Sequence, residues 1–209
     1  MLRVIFGGTF DPIHKGHVQT SLAAFTQLKA ERLHVMPSAQ PPHRGGPTAT
    51  AEQRLEMVRL AFTDYPQVIA EPWELDRQRL SYSLLTLQEM QQQWPEDTLV
   101  FLLGDDAFAK LNTWHRWQEL VQVAHLAVMQ RPNQDVCWAA EVEQLAQQRR
   151  VTDSHALKQQ QAGCILCLDT PAIDVSATAL RSKISHQQPW EHLVPPAVAH
   201  YIKQHQLYP

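Results

Sequence analysis

The sequence predicts an α/β protein with a doubly wound parallel sheet. Short apolar runs of strand length alternate along the chain with segments whose apolar residues recur at helical spacing. A strand, a Gly-Gly turn, a helix and a second strand fit within residues 2–36, which is the size of a βαβ unit with parallel strands. The alternation continues to residue 168, and two helices follow, so we expect a single domain over residues 1–209 with C-terminal helices.

The individual elements follow from where each apolar run starts and stops. Predicted strands are short runs of large apolar residues that end at glycine, proline or a polar residue. Residues 39–50, with three prolines and two glycines, and the Gln-rich residues 152–163 are predicted loops. The strands are predicted at residues 2–6, 33–36, 98–103, 126–129 and 164–168. The helices are predicted at residues 17–28, 51–62, 82–94, 117–123, 139–149, 176–185 and 195–205.

Composition and charge exclude several classes of protein. The chain has 209 residues, with 18 Lys and Arg against 21 Asp and Glu, so its formal net charge is −3. Because there is no basic excess, a general nucleic-acid binder is disfavoured. No apolar run reaches the roughly 18 residues that a membrane helix needs, and the N-terminus does not have the pattern of a signal peptide. We therefore expect a cytoplasmic protein without a membrane partner.

The three cysteines do not predict a disulfide framework or a metal site. Cys164 and Cys167 lie three residues apart in a predicted strand, so their side chains should face opposite sides of the sheet. No second cysteine pair exists to complete a zinc site. We interpret these residues as small core residues.

The segment after the first predicted strand carries the most information about function. Gly7 and Gly8 allow a sharp turn and a close approach of the backbone to a ligand, and a helix begins near Gly16. In an open α/β sheet a ligand binds at such a turn, and the N–H groups of the helix start favour phosphate. His14 and His17 are three residues apart, so both imidazoles can face one point, donate to phosphate oxygens and, when protonated, add positive charge.

Two common nucleotide-binding motifs are absent from this turn. It lacks Gly-x-Gly-x-x-Gly, which argues against a nicotinamide-dependent dehydrogenase. It also lacks the Gly-x-x-x-x-Gly-Lys-Ser/Thr motif of P-loop kinases and ATPases. Any phosphate chemistry must therefore depend on the histidines, the backbone and basic residues elsewhere in the chain.

Residues 7–17 resemble the Gly-x-Phe-Asp-x-x-His-x-Gly-His motif of the nucleotidyltransferase superfamily. Further segments are similar to those of one family within it, the bacterial nicotinate-mononucleotide adenylyltransferases. Two positions depart from the family's usual residues, Ser83 for Thr and Val175 for Ile, and neither change removes a hydroxyl group. The similar segments are a proline-rich loop at 37–44, Ser-Tyr-Ser and the residues after it at 81–87, Gly-Asp-Asp at 104–106, tryptophans at 114 and 117, Val-Ser-Ala-Thr-Ala-Leu-Arg at 175–181 and the tail at 201–208.

The resemblance implies a Rossmann-like sheet and a specific activity. Members of this family join the AMP part of ATP to nicotinate mononucleotide, giving nicotinate adenine dinucleotide and pyrophosphate in NAD biosynthesis. ATP and nicotinate mononucleotide are then the expected partners. Mg²⁺ is expected to accompany the ATP, and no protein metal ligands are expected.

The resemblance also assigns roles in ATP binding. His14 and His17 are expected to bind the ATP phosphates and to form the catalytic pair, with His17 the first choice for stabilising the transition state. Arg181 can donate two hydrogen bonds to phosphate oxygens, and Ser176 is a predicted helix N-cap. The other expected ATP contacts are Gly7, Gly8, Thr9, Phe10 and Thr178.

The nicotinate side of the site is expected around Trp114, whose ring would stack on the pyridine ring. The resemblance implies that backbone N–H groups near Ser83 and His115 bind the nicotinate carboxylate. Backbone donors suit an anion better than an amide, so nicotinamide mononucleotide should be a worse substrate. Asp106 is expected to contact a substrate hydroxyl or a neighbouring loop, or else only to cap the helix that follows.

Several alternatives stay open at this point. His43 and Arg44 on the proline-rich loop could contact phosphates or stay in solvent. Ser176 and Thr178 could serve only as helix caps. The chain could instead be another small-molecule adenylyltransferase or cytidylyltransferase of the superfamily, or a non-catalytic nucleotide-binding regulatory module.

Overall fold

The computed structural model describes residues 1–39, 47–75, 81–130 and 136–209. In this part of the chain seven strands form one sheet, and every neighbouring pair of strands is parallel. The predicted parallel sheet is confirmed. The strands are Leu2–Gly8 (β1), Arg32–Pro37 (β2), Val68–Ala70 (β3), Thr98–Gly104 (β4), His125–Gln130 (β5), Arg150–Val151 (β6) and Ile165–Asp169 (β7).

The order of the strands creates a switch point beside β1. The sheet runs β3-β2-β1-β4-β5-β7-β6, so β1 lies between β2 and β4. The chain winds outward from β1 through β2 and β3, then returns and continues on the other side through β4. In open α/β sheets a crevice at the carboxyl ends of the strands forms at this reversal and binds ligands. Here those ends are Gly8 of β1 and Gly104 of β4.

Helices cover both faces of the sheet, as the doubly wound prediction requires. They are Lys15–Leu28 (α1), Ala51–Ala61 (α2), Ser83–Gln93 (α3), Asp105–Phe108 (α4), Leu120–Val123 (α5), Ala140–Arg149 (α6), Ala177–Ser185 (α7) and Pro196–Gln204 (α8). Successive strand residues point to opposite faces, so Val4 and Ile5 lie in two separate cores. The core of Val4 packs against α1, α2, α7 and α8, and that of Ile5 against α3, α5 and α6.

Two short strands, β3 and β6, and the one-turn helix α4 were not among the predicted elements, and one predicted helix has a different form. β3 was not predicted, because three residues are too few to show a periodic pattern. It lies at the sheet edge, where Val68 pairs with Leu33 of β2. Residues 117–123, predicted as one helix, are a short 3₁₀ turn, Trp117–Glu119, followed by α5.

The Gln-rich stretch at residues 152–163 also differs from its prediction as a surface loop. It contains a 3₁₀ helix, Ser154–Lys158, and the side chain of Leu157 is fully buried in the core of Val4. One leucine in a polar stretch gave too weak a signal for burial. Most other residues of the stretch are exposed, as expected for a surface segment.

The cysteines lie where the strand pattern predicted. Cys164 is buried in the core of Val4, and Cys167 packs against the core of Ile5, so the two side chains face opposite sides of the sheet. Both are free, as is Cys137. Within the described ranges, no helix has the length and apolar character needed to cross a membrane.

Candidate active site

The bend after β1 is shaped by an aromatic side chain. Phe10 has φ 48°, in the left-handed region that residues other than glycine rarely adopt. Its ring folds back over the strand end, so that a Cβ atom at Gly8 would lie 2.8 Å from it. Gly8 is therefore required for the close approach of Phe10. The expected close approach of the Gly8 backbone to a ligand stays a prediction.

His14 and His17 cap the start of α1 with their own side chains. His14 is the N-cap residue, and its Nδ1 accepts a hydrogen bond from the backbone N–H of His17 at 3.3 Å. In return, Nδ1 of His17 accepts from the backbone N–H of His14, also at 3.3 Å. The two rings stack with their centroids 3.6 Å apart. The structure thus brings the two imidazoles together, as their spacing predicted.

These capping bonds determine which ring nitrogen carries the hydrogen. A neutral imidazole has one N–H donor and one acceptor nitrogen. Because Nδ1 accepts in both rings, the hydrogen of each neutral ring lies on Nε2. If a ring were protonated, its Nδ1 would also carry a hydrogen. That N–H would face the backbone N–H from which Nδ1 now accepts a hydrogen bond. In this geometry each neutral ring can donate through Nε2–H, and the positive charge expected from the sequence stays a prediction.

An apolar wall restricts the movement of the pair. His14 is only 5% exposed. The ring of Phe10 packs edge-on against His17 with centroids 5.1 Å apart, and Phe6 packs against Phe10 at 5.3 Å. Since packing and capping both limit the rotamers, the two Nε2–H groups are fixed in advance of any ligand.

Asp11 connects the bend to distant parts of the chain. Its buried carboxylate accepts hydrogen bonds from the backbone N–H groups of Thr48 at 2.8 Å and Ala49 at 3.1 Å. It also accepts from the hydroxyl of Tyr208 at 2.8 Å. Burial and the Asp11 charge raise the pKa of Tyr208, so its hydroxyl remains a donor. The motif contained Asp11, but no local signal indicated a partner 197 residues away.

The start of α7 lies against the same bend. Arg181 donates from Nη1 to the backbone carbonyl of Asp11 at 2.7 Å. Ser176 is the N-cap residue, and its Oγ accepts from the backbone N–H of Ala179 at 3.2 Å, which confirms the predicted cap. Thr178 is exposed in the first turn. The structure therefore places the start of α7, late in the chain, against the bend after β1 near the N-terminus.

Arg54 on α2 is the clearest residue that the sequence analysis missed. Its side chain is 1% exposed, and its guanidinium donates to three backbone carbonyls, those of Thr9, Ser38 and Ala39. The sequence signal was weak, because one arginine in a polar helix normally lies on the solvent face. Burial lowers the pKa of Arg54, and the nearby Asp11 carboxylate opposes that shift.

Trp114 lies beside the crevice between β1 and β4. It follows a 3₁₀ turn, Leu111–Thr113, and is half-buried. Its ring packs edge-on against Phe101 of β4, with centroids 6.2 Å apart. Phe101 in turn lies 3.6 Å from the position of a Cβ atom at Gly7. The predicted stacking residue is therefore close to the end of β1.

An aromatic contact joins His115 to Tyr82, the residue before Ser83. Ser83 is the first residue of α3, and its neighbour Tyr82 is the N-cap residue but makes no capping bond with its side chain. The ring of Tyr82 lies 4.6 Å from that of His115, which is exposed. Because the first-turn N–H groups of a helix have no intrahelical partners, this start of α3 suits an anion.

Asp106 does not cap the helix that contains it. The N-cap of α4 is Gly104, no side chain caps this helix, and Asp106 is exposed in its first turn. The neighbouring Asp105 is buried and accepts a hydrogen bond from Nε1 of Trp138 at 2.7 Å. The capping alternative for Asp106 is therefore wrong, and its contact with substrate stays a prediction.

His43 and Arg44, the candidates on the proline-rich loop, lie outside the described residues. Metal binding can be tested on the rest of the chain. Where the structure describes it, no group of three or more His, Cys, Asp or Glu side chains is arranged to hold a metal ion. The described residues therefore do not form a protein cage for a resident metal.

Comparisons with known proteins identify the family. The family model described as Cytidylyltransferase-like matches residues 5–183. A curated relative from Idiomarina loihiensis, named "Probable nicotinate-nucleotide adenylyltransferase", is 44% identical over all of both chains. The chain belongs to the nicotinate-nucleotide adenylyltransferase family. A family member of the same name from Acidithiobacillus ferrooxidans is 39% identical, over 98% of this chain and 94% of its own.

Comparison with solved structures shows which fold the chain shares. A nicotinic acid mononucleotide adenylyltransferase from Plasmodium falciparum, complexed with NaAD, aligns with a TM-score of 0.73 at 15% identity, over 99% of this chain and 97% of that one. The same protein complexed with APC aligns with a TM-score of 0.72 at 14% identity, over 99% and 96%. At this identity the likeness shows the fold, and the predicted Rossmann-like architecture is confirmed.

Proposed function

We propose that the chain joins the AMP part of ATP to nicotinate mononucleotide, giving nicotinate adenine dinucleotide and pyrophosphate, in NAD biosynthesis. Relatives that match over the full length support the choice of reaction. The observation that carries the proposal is the reciprocal capping of His14 and His17. It holds two stacked imidazoles, each with its Nδ1 engaged in the cap, at the carboxyl end of β1, where open α/β sheets bind phosphate.

The reaction needs alignment and charge stabilisation more than covalent chemistry. A phosphate oxygen of nicotinate mononucleotide attacks the α-phosphorus of ATP, and the bond from that phosphorus to the β-phosphate oxygen breaks as pyrophosphate leaves. The attacking phosphate is already ionised near neutral pH, so neither a general base nor a covalent enzyme intermediate is required. The protein must hold two polyanions in line and stabilise the leaving group.

The ATP phosphates are proposed to lie between the start of α1 and the start of α7. Nε2–H of His17 and of His14 would donate to phosphate oxygens, with His17 stabilising the charge that develops in the transition state. Arg181, held against the bend by the Asp11 carbonyl, would add a permanent positive charge. The hydroxyl hydrogen of Ser176 is not used by its capping bond and can donate as well.

The nicotinate ring is proposed to stack on Trp114, beside the crevice of β1 and β4. Its carboxylate would accept from the backbone N–H groups at Ser83, in the first turn of α3, and at His115. An amide in that place would turn its own N–H donors against these groups, so nicotinamide mononucleotide should bind worse. The exposed carboxylate of Asp106 would accept from a substrate hydroxyl.

Mg²⁺ is proposed to arrive with the triphosphate. Bound to ATP, the ion would neutralise phosphate charge. We also propose that residues 1–209 act as one domain, because both cores pack on one sheet. The three free cysteines favour a reducing compartment, and we propose the cytoplasm.

The test is an acceptor assay. The protein is incubated with ATP and Mg²⁺ and with nicotinate mononucleotide, nicotinamide mononucleotide or phosphopantetheine, and pyrophosphate release is measured. We expect rapid release with nicotinate mononucleotide and slower release with nicotinamide mononucleotide. Release only with phosphopantetheine would favour another member of the superfamily, and release with none of them would favour a regulatory nucleotide-binding module.

A further inference from the structure

Arg54 is a fully buried cation that the proposed reaction does not use. It lies in the first turns of α2, and its side chain is 1% exposed. Nη1 donates to the carbonyl of Thr9 at 2.8 Å and to that of Ser38 at 2.7 Å, and Nη2 donates to the carbonyl of Ala39 at 3.4 Å. All three acceptors are backbone atoms just beyond the carboxyl ends of strands.

The guanidinium therefore links two adjacent strand ends. Thr9 follows β1, whereas Ser38 and Ala39 follow β2. The backbone adds two bonds around this link: Ser38 N–H donates to the carbonyl of Gly8 at 2.9 Å, and Ala39 N–H donates to Oγ of Ser81 at 3.1 Å. Arg54 thus lies under the turn that leads to the histidine pair, and it holds that turn against the next strand.

The carbonyl of Thr9 determines where the next residue can go. This carbonyl and the backbone nitrogen of Phe10 belong to one planar peptide unit. A hydrogen bond to the oxygen therefore fixes the orientation of the peptide plane that precedes Phe10. Phe10 then adopts φ 48°, which is unfavourable for a residue with a Cβ atom and persists only where the surroundings enforce it. Its ring packs edge-on against His17 at 5.1 Å. A continuous series of contacts therefore joins Arg54 to the imidazole of His17.

One donor of the Arg54 guanidinium is left unsatisfied by this arrangement. Nε of Arg54 is buried and makes no hydrogen bond with the described part of the chain. A buried donor without a partner is unfavourable, and apolar residues of similar volume often replace buried charges without loss of stability. Lysine could not reproduce the contacts, because an ammonium group does not present donors in a planar fork.

We propose that Arg54 is a positioning residue for His17: by holding the Thr9 carbonyl it enforces the Phe10 conformation whose ring fixes the imidazole for phosphate. Arg54 does not touch substrate in this account and acts through the turn. The proposal rests on the function proposed above for its effect on rate. Its effect on the His17 ring can be observed without any substrate.

The experiment compares Arg54→Met and Arg54→Lys with Arg59→Met, a matched control on the exposed face of the same helix, where Arg59 pairs only with Glu56 in the described structure. Thermal unfolding first establishes that each variant is folded. Steady-state kinetics then separate kcat from KM. Nitrogen NMR of the histidine rings, recorded without substrate, reports which nitrogen of His17 carries the hydrogen.

We expect kcat of Arg54→Met to fall by about 10- to 100-fold with little change in either KM, since small misplacements of a catalytic group cost rate. The kcat of Arg54→Lys should lie between that of Arg54→Met and that of the native protein. The native spectrum should show His17 protonated on Nε2, and this pattern should become mixed in both variants. Arg59→Met should match the native protein in both measurements.

A folded Arg54→Met with native kcat and an unchanged His17 spectrum would overturn the proposal. If Arg54→Met does not fold, Arg54→Lys decides the matter by the same two measurements, and native values overturn it. If the native protein does not use nicotinate mononucleotide, the function proposed above fails, while the substrate-free spectra still test the positioning role.

Discussion

The bend that carries His14 and His17 is held much more firmly than the segment that carries Trp114 and His115. At the bend, the imidazoles cap each other, Asp11 is buried with three donors, and the Phe10 ring closes the wall. On the other side of the crevice, His115 is exposed and Trp114 is half-buried. The ring of His115 contacts that of Tyr82, and the ring of Trp114 contacts that of Phe101.

In the proposed function, this difference would separate two tasks within one site. Groups that stabilise developing charge are most effective when they are oriented before the substrate arrives, because no reorganisation is then needed during the reaction. Groups that recognise a flat ring gain from a surface that can adjust around it. We therefore expect changes at the bend to lower kcat, and changes at the Trp114 segment to raise the KM for nicotinate mononucleotide.

The largest effect is expected for His17→Ala. Loss of a preorganised donor should lower kcat by about 100-fold or more. Loss of one half of the reciprocal cap should cost about 1 kcal/mol of stability, so the variant should remain folded. Pyrophosphate release gives the rate and circular dichroism the fold. His200→Ala, an exposed change on α8, is the control. A folded His17→Ala variant with native kcat would contradict a role for this bend in catalysis.

The next effect is expected for Arg181→Ala. Its charged hydrogen bonds to phosphate should contribute about 1.5–3 kcal/mol, so kcat/KM for ATP should fall by about 10- to 100-fold. The KM for nicotinate mononucleotide should change little. Lys183→Ala on the same helix is the control, and steady-state kinetics with each substrate varied in turn is the measurement. An equal loss in both variants would show that α7 contributes only diffuse charge.

A smaller and different effect is expected for Trp114→Ala. Loss of stacking should raise the KM for nicotinate mononucleotide by about tenfold and leave kcat and the KM for ATP nearly unchanged. Trp114→Phe should restore part of the affinity. A fall in kcat as large as that of His17→Ala would contradict the proposed separation of catalysis at the bend from ring binding at Trp114.

The smallest effect concerns stability at alkaline pH. Burial and the Asp11 charge raise the folded-state pKa of Tyr208 above the ordinary tyrosine value of about 10. Below about pH 10 the hydroxyl is protonated in both states, and above it only the unfolded chain ionises, so this contribution to stability is lost as pH rises. The Tm of the native protein should therefore fall more steeply between about pH 9 and pH 11 than that of Tyr208→Phe.

An exposed tyrosine provides the control for this pH dependence. Tyr65→Phe should follow the native protein over the same pH range, because Tyr65 is 36% exposed. Parallel Tm curves for the native protein and Tyr208→Phe would contradict the buried bond to Asp11.

Much of the fold and part of the site could be predicted because the signals were local. Apolar runs, the Gly-Gly turn and the spacing of His14 and His17 are properties of short segments, and the structure confirms the sheet and the joined imidazoles. Arg54 and Tyr208 could not be found in this way. Their partners are a backbone carbonyl 45 residues away and a carboxylate 197 residues away, so only the folded chain shows them.

The central claim is that the paired imidazoles hold the ATP phosphates through Nε2–H. A crystal structure with a non-hydrolysable ATP analogue tests it most directly. We predict phosphate oxygens within about 3.2 Å of Nε2 of both His14 and His17, with the reciprocal capping bonds intact. Phosphates bound away from the end of β1, with neither Nε2 in hydrogen-bond range, would contradict the account.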